Sequence, residues 1–214
     1  MGDCLLLTGP VHALKQEFPG FRISILVEDR FRECYDGNPD FSEIISIGHK
    51  AEAVRLLLRR FHAIINLHGG PTSLFYSLMA WGPRIGLEQY QYPKLYSGLA
   101  PKPDSTIHTA QATLSIFKWF GVSVSNCPPL RYETHSAAAE TLPESIKGKD
   151  YVVIHPGALL DTKRWDSAGF GSVAQQLRRR GLQIVLTAGP GEEHFVAKVA
   201  ERIPATTILF GLTI

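Results

Sequence analysis

The stretch Tyr151–Trp165, YVVIHPGALLDTKRW, decides the fold. Tyr151 to Ile154 is a short, apolar, β-branched run of the kind that forms a buried parallel strand, and His155, Pro156 and Gly157 end it. After a loop, Ser167, Ala168, Phe170, Val173 and Leu177 fall at helical spacing, and Gly181, beyond an arginine run, supplies a C-terminal stop. In such a strand–loop–helix unit the loop sits at the carboxyl end of the strand. Ligands of open α/β sheets bind there, and the free N–H groups of the helix favour an anion. Lys163 adds a full positive charge to that loop.

A lone Lys163-Arg164 pair is most simply a solvated loop surface, with Trp165 plugging the core. The next unit changes the weighing. Leu182 to Leu186 repeats the strand, Thr187-Ala188-Gly189-Pro190-Gly191 repeats the glycine turn, and Glu192 and Glu193 open another helix. A lysine at one strand end and a carboxylate at the neighbouring turn suit a nucleotide: the cation meets phosphate, and the carboxylate accepts bonds from ribose hydroxyls.

Bulk composition narrows the partners. With 214 residues, 44% of them hydrophobic, the chain forms one large or two small packed domains. A formal net charge of +2, from 22 basic residues spread along the chain, does not indicate nucleic acid. Cys4, Cys34 and Cys127 are odd in number, widely spaced and without a metal-ligand pattern, which fits a reducing cytoplasm. No apolar run reaches transmembrane length and no charged-then-apolar leader is visible, so a soluble cytoplasmic chain is expected.

The opening segment, MGDCLLLTGPVHALK, predicts a helix behind Pro10 through Val11, Leu14 and Phe18, ended by Pro19-Gly20. Phe21 to Glu28 follows as a strand. A helix feeding a parallel strand normally follows an earlier strand, so a first strand is expected to be missing. Ile44 to Ile47 is a further short strand. Ala51 to Phe61 predicts a helix with Val54, Leu57, Leu58 and Phe61 as its buried stripe and Arg55, Arg59 and Arg60 elsewhere, most simply a solvated face and, on the sharper reading, a contact for an anionic acceptor.

Ala63 to Leu67 predicts a strand ending at His68-Gly69-Gly70, followed by an apolar helix to Trp81 and another strand at Arg84 to Leu87. His68 is either a proton carrier and acceptor contact or, as a lone histidine beside glycines more often is, a local hydrogen-bonding group. Glu88 to Asp104 reads as a long loop, a lid or binding segment in which Tyr90, Tyr92, Lys94 and Tyr96 are candidate acceptor contacts. Ile107 to Phe120 resumes helical spacing. Proline-rich sequence up to Asp150 suits a crossing between domains 1–147 and 148–214. Beyond it the chain alternates strand and helix through Thr206 to Phe210, too few strands for a complete doubly wound sheet.

Taken together, GDCLLLTGPVHALK, FPGFRISILVE, GNPDFSEII, NLHGGPTS, VVIHPGALLDTKRW and RRGLQIVLTAGPGEE resemble glycosyltransferase family 9, the ADP-heptose:lipopolysaccharide heptosyltransferases, over nearly the whole chain. The resemblance implies an α/β fold of GT-B type, two Rossmann-like domains facing a cleft, with the first strand and much of the second domain missing here. It implies an inverting, metal-independent sugar transfer from an ADP-sugar donor to a lipopolysaccharide core acceptor at the cytoplasmic membrane face, with peripheral membrane contact and no cofactor. Asp3 would be the general base, although an N-terminal helix cap is its plain reading. Lys163 would neutralise the leaving diphosphate as a metal does in other transferases.

Gly157 and Gly189 would shape the donor loops, and Glu192, or Glu193 beside it, would hold the ribose. His68, Tyr90 and Lys94 are the acceptor-side candidates. The central expectation is that Asp3 and Lys163 serve one shared crevice. The alternative from another class is a non-catalytic remnant or binding module. A dinucleotide-binding protein ranks last, because neither glycine turn carries GxGxxG.

Overall fold

The computed structural model describes residues 2–48, 54–133, 142–158, 160–203 and 206–210. The chain divides into two compact units, Met1–Glu133 and Thr134–Ile214. Both are α/β with parallel strands, as the alternation of short β-branched runs and helices predicts.

The first unit opens with helix α1, Gly2–Glu17, which buries Thr8, Gly9, Pro10, Val11, Ala13 and Leu14. The sequence reading starts this helix after Pro10, whereas it begins at Gly2 and carries Pro10 inside. Proline removes the N–H bond to the Leu6 carbonyl, but the buried face spans Pro10 and packing outweighs that loss. Thr8 and Gly9 fit a crossing segment closely. A Cβ on Gly9 would overlap the Pro128 carbonyl, and the Thr8 hydroxyl accepts the Arg131 N–H at 2.9 Å.

Strands β1 (Ser24–Val27) and β2 (Glu43–Ser46) pair in parallel, Ser24 opposite Glu43. A second sheet orders β3 (Ile64–Ile65), β4 (Arg84–Leu87) and β5 (Gly98–Ala100), all parallel. Helix α2 (Pro71–Met79) follows β3, and α3 (Thr109–Trp119) follows β5. The main core joins α1 to α3 through Val11, Ala13, Leu14, Leu114, Phe117 and Val122. A partly buried polar cluster ties α1 to the neighbouring loops. His12 Nδ1 lies 3.0 Å from Asp40 Oδ2, and Arg131 lies 3.3 Å from the same oxygen.

Two local expectations change. The predicted helix at Ala51 to Phe61, of which 51–53 lie outside the described residues, tightens into a 3₁₀ turn at Leu56–Leu58. With three residues per turn the stripe no longer aligns: Leu56 is buried, while Val54, Leu57 and Leu58 are exposed. The loop predicted over Glu88 to Asp104 contains β5, paired Ile85 to Gly98. Gly98-Leu99-Ala100 carries no β-branched or aromatic signal, so only the β4 edge makes it a strand.

The second unit runs β6 (Tyr151–Ile154), α4 (Ser167–Arg179), β7 (Gln183–Thr187), α5 (Glu193–Ala200) and β8 (Thr207–Leu209). Its parallel sheet has the order β6-β7-β8, with Ile154 opposite Leu186. Ile184, Leu186, Ala174, Val196, Val199 and Ile203 form its core. The Asp166 carboxylate caps α4 by accepting the Gly169 N–H at 2.8 Å. Among the described residues, no helix is long and apolar enough to cross a membrane.

Candidate functional site

In the second unit the paired register brings the carboxyl ends of β6 and β7 side by side. The β6 end leads into His155-Pro156-Gly157 and the β7 end into the Gly189 turn. Glu192 joins them. One of its oxygens, Oε2, accepts the Gly189 N–H at 2.9 Å and lies 3.5 Å from His155 Nε2. The other ring nitrogen of His155 lies 3.0 Å from the Thr187 hydroxyl. The carboxylate rests so closely on Gly157 that a Cβ there would overlap it. Gly157, Gly189 and Glu192, each a candidate from sequence, therefore meet at one spot.

Lys163 ends the 3₁₀ turn Asp161–Lys163 and is exposed. Among the described residues, no ion pair or side-chain hydrogen bond engages it. Arg164 is the opposite case. It pairs with Asp161 at 2.6 Å, donates to the Ala158 carbonyl at 2.8 Å and lies over the Phe195 ring. The basic pair is thus divided: Arg164 holds the loop, and Lys163 keeps its charge toward solvent. Trp165 does not plug the core as the plain reading has it. It is 52% exposed and lies edge-on to Phe170, over Gly169.

In the first unit, the His68-Gly69-Gly70 turn follows β3 and leads into α2, with Gly70 as N-cap and Pro71 at the first helical position. Asn66, buried at the end of β3, shapes it. Its Oδ1 accepts the N–H groups of His68 and Gly69, both at 3.1 Å, and its Nδ2 donates to the Tyr96 hydroxyl at 2.9 Å. Tyr90 lies on Gly69, whose φ of 73° and lack of a Cβ allow the ring to pack there.

His68 and Tyr90 are therefore brought together, with His68 exposed. Burial, reinforced by Tyr96, pushes the Tyr90 phenol up to about 12, so it is a neutral donor near neutral pH. Lys94 lies apart in the exposed 3₁₀ turn Pro93–Leu95.

Asp3 lies in the first turn of α1 and is exposed. Because α1 leads into the amino end of β1, its own amino end and Asp3 lie on the carboxyl side of that strand. His108 occupies the equivalent place on α3 as its N-cap, its Nδ1 accepting the Ala110 N–H at 3.3 Å. Sequence reasoning passed over Asn66 and His108. The signals were an Asn three residues ahead of a Gly-Gly pair and a His-Thr pair opening a helix.

Each unit is an α/β layer with parallel strands and polar groups gathered at strand carboxyl ends, where ligands of open α/β sheets bind. Residues 53–213 match the family model described as glycosyltransferase family 9 (heptosyltransferase). The chain belongs to that family. It is 26% identical over 238 residues to lipopolysaccharide heptosyltransferase 3 of Escherichia coli, covering 98% of this chain and 68% of that protein.

Among solved structures, a glycosyl transferase family 9 protein from Veillonella parvula DSM 2008 superposes with a TM-score of 0.81 at 18% identity, over 98% of this chain and 67% of that one. The E. coli heptosyltransferase WaaC with ADP-2-deoxy-2-fluoro heptose gives 0.75 at 20%, over 100% and 74%. The fold is that of these structures, the GT-B type.

Proposed function

We propose that the chain is an inverting, metal-independent glycosyltransferase that moves a sugar, heptose from an ADP-heptose donor, to a lipopolysaccharide core acceptor at the inner face of the cytoplasmic membrane. Asp3 takes the proton from the acceptor hydroxyl as its oxygen attacks the anomeric carbon. The bond from that carbon to the diphosphate breaks, and Lys163 stabilises the negative charge on the departing ADP. Glu192 accepts bonds from the ribose hydroxyls, while His68, Tyr90 and Lys94 contact the acceptor.

The observation that carries the reading is the meeting of Glu192, Gly157 and Gly189 at adjacent strand ends, beside a loop whose lysine is exposed and has no ion pair among the described residues. Family membership supports it, and the WaaC structure was solved with an ADP-heptose analogue.

The test is to incubate the chain with ADP-heptose and a heptose-deficient lipopolysaccharide core and follow ADP release. Acceptor-dependent release supports transfer. ADP binding without release would make the chain a binding module, and no ADP binding at all would overturn the reading.

A further inference from the structure

Helix α1 meets the 3₁₀ turn Asp29–Cys34 at a cluster that the proposed chemistry does not use. Cys34 and Tyr35 are buried there with Val27, and Cys4, Leu5, Ile25, Phe31 and Ile44 pack against them. Cys4 follows Asp3 directly and is half-buried, so one of the two thiols is reachable from solvent. Helix α1 and the 29–34 turn touch at this point, which sets Cys4 against the cluster that holds Cys34 and Tyr35. All three cysteines are free, and Cys127 sits elsewhere, against the Pro128 carbonyl at 3.4 Å. Two thiols packed in one cluster can reach the ~2.0 Å of an S–S bond by side-chain rotation.

We propose that Cys4 and Cys34 are a reversible disulfide pair, which when oxidised by a low-molecular-weight disulfide locks the first turn of α1 to the 29–34 turn. The Cys4 thiolate attacks one sulfur of the external disulfide, whose S–S bond breaks and releases one small thiolate. Cys34 loses its proton to solvent, and its sulfur attacks that of Cys4 and expels the second small thiolate. Two protein thiols are oxidised to one disulfide, and the external disulfide is reduced to two thiols.

Burial and the neighbouring Cys4 hold the Cys34 thiol above its ordinary range, so the second step quickens as pH rises. Asp3 is adjacent to Cys4, and its base role belongs to the functional reading above. The disulfide does not depend on that role.

Oxidised glutathione added to the full chain is the direct test. Intact mass, thiol count and peptide mapping should show a species two hydrogens lighter, with Cys127 as the remaining free thiol and Cys4 linked to Cys34. Its thermal midpoint should rise, and dithiothreitol should return it to the starting value. Cys34→Ser should instead stop at a glutathionyl adduct on Cys4. Three intact thiols in the wild-type chain, a lasting adduct on Cys4 with Cys34 still free, or a bond to Cys127 would each overturn the proposal. These readouts are independent of sugar transfer.

Discussion

The Glu192 carboxylate closes the turn that precedes it by accepting the Gly189 N–H at 2.9 Å. The same side chain lies on Gly157 and near His155, so one carboxylate holds the loops after two neighbouring strands in register. Its loop-holding role and its proposed ligand-binding role are separable. Glu192→Gln keeps an oxygen for Gly189 but loses the charge, and should weaken ADP binding about tenfold while lowering the thermal midpoint only modestly, because hydrogen bonds to charged groups exceed neutral ones by about 1 kcal/mol. Calorimetric titration of ADP and a melting curve check both halves.

Gly157→Ala should be costly without removing any polar group. The added methyl meets a carboxylate already fixed by the Gly189 turn, so overpacking of about 1–3 kcal/mol is expected. Denaturant unfolding of the variant measures it, and ADP affinity should fall alongside because the loop must shift.

Lys163 and Arg164 are adjacent but should behave differently. Lys163→Ala should leave stability unchanged and reduce the transfer rate by about 10²–10³, the usual loss for one charge-stabilising donor. Arg164→Ala removes the Asp161 pair and the bond to the Ala158 carbonyl, and should lower the thermal midpoint as well. Steady-state kinetics and melting curves on both variants separate the roles.

Asn66→Ala leaves the His68 and Gly69 N–H groups and the Tyr96 hydroxyl without their buried partner. A loss of about 1–3 kcal/mol is expected for each group left unsatisfied and desolvated, less where water replaces it. Chemical denaturation of the variant measures the sum.

Tyr90 sets an alkaline limit. Its folded pKa, about 12, lies above the ordinary tyrosine value of 10.0, so the folded state holds the proton more tightly. That contribution to stability is complete below pH 10.0 and is lost as pH rises toward about 12. Ultraviolet titration of tyrosinate should show a late-ionising group that disappears in Tyr90→Phe.

The elements that could be read in advance are those whose own residues carry the pattern. Tyr151–Ile154 and Gln183–Thr187 are β-branched runs ended by glycine turns, and the helix between them shows apolar spacing and a side-chain cap. What escaped reading depends on neighbours. Gly98–Ala100 is a strand only because β4 offers an edge, and Pro10 stays within α1 because the surrounding face is buried.

The site divides in the same way. Glycine turns announced Gly157 and Gly189, but that Glu192 reaches both follows from parallel pairing. The different roles of Lys163 and Arg164 follow from Arg164 alone reaching Asp161, three residues back, and the Ala158 carbonyl.

Sugar transfer as proposed depends most on Asp3 as the base, an exposed carboxylate in the first turn of α1. The deciding measurement is the rate of heptose transfer from ADP-heptose by Asp3→Asn compared with the unaltered chain, with ADP affinity measured in parallel. A rate lower by about 10²–10⁴ at unchanged affinity is predicted for removal of a general base. Equal rates for the two proteins would contradict it.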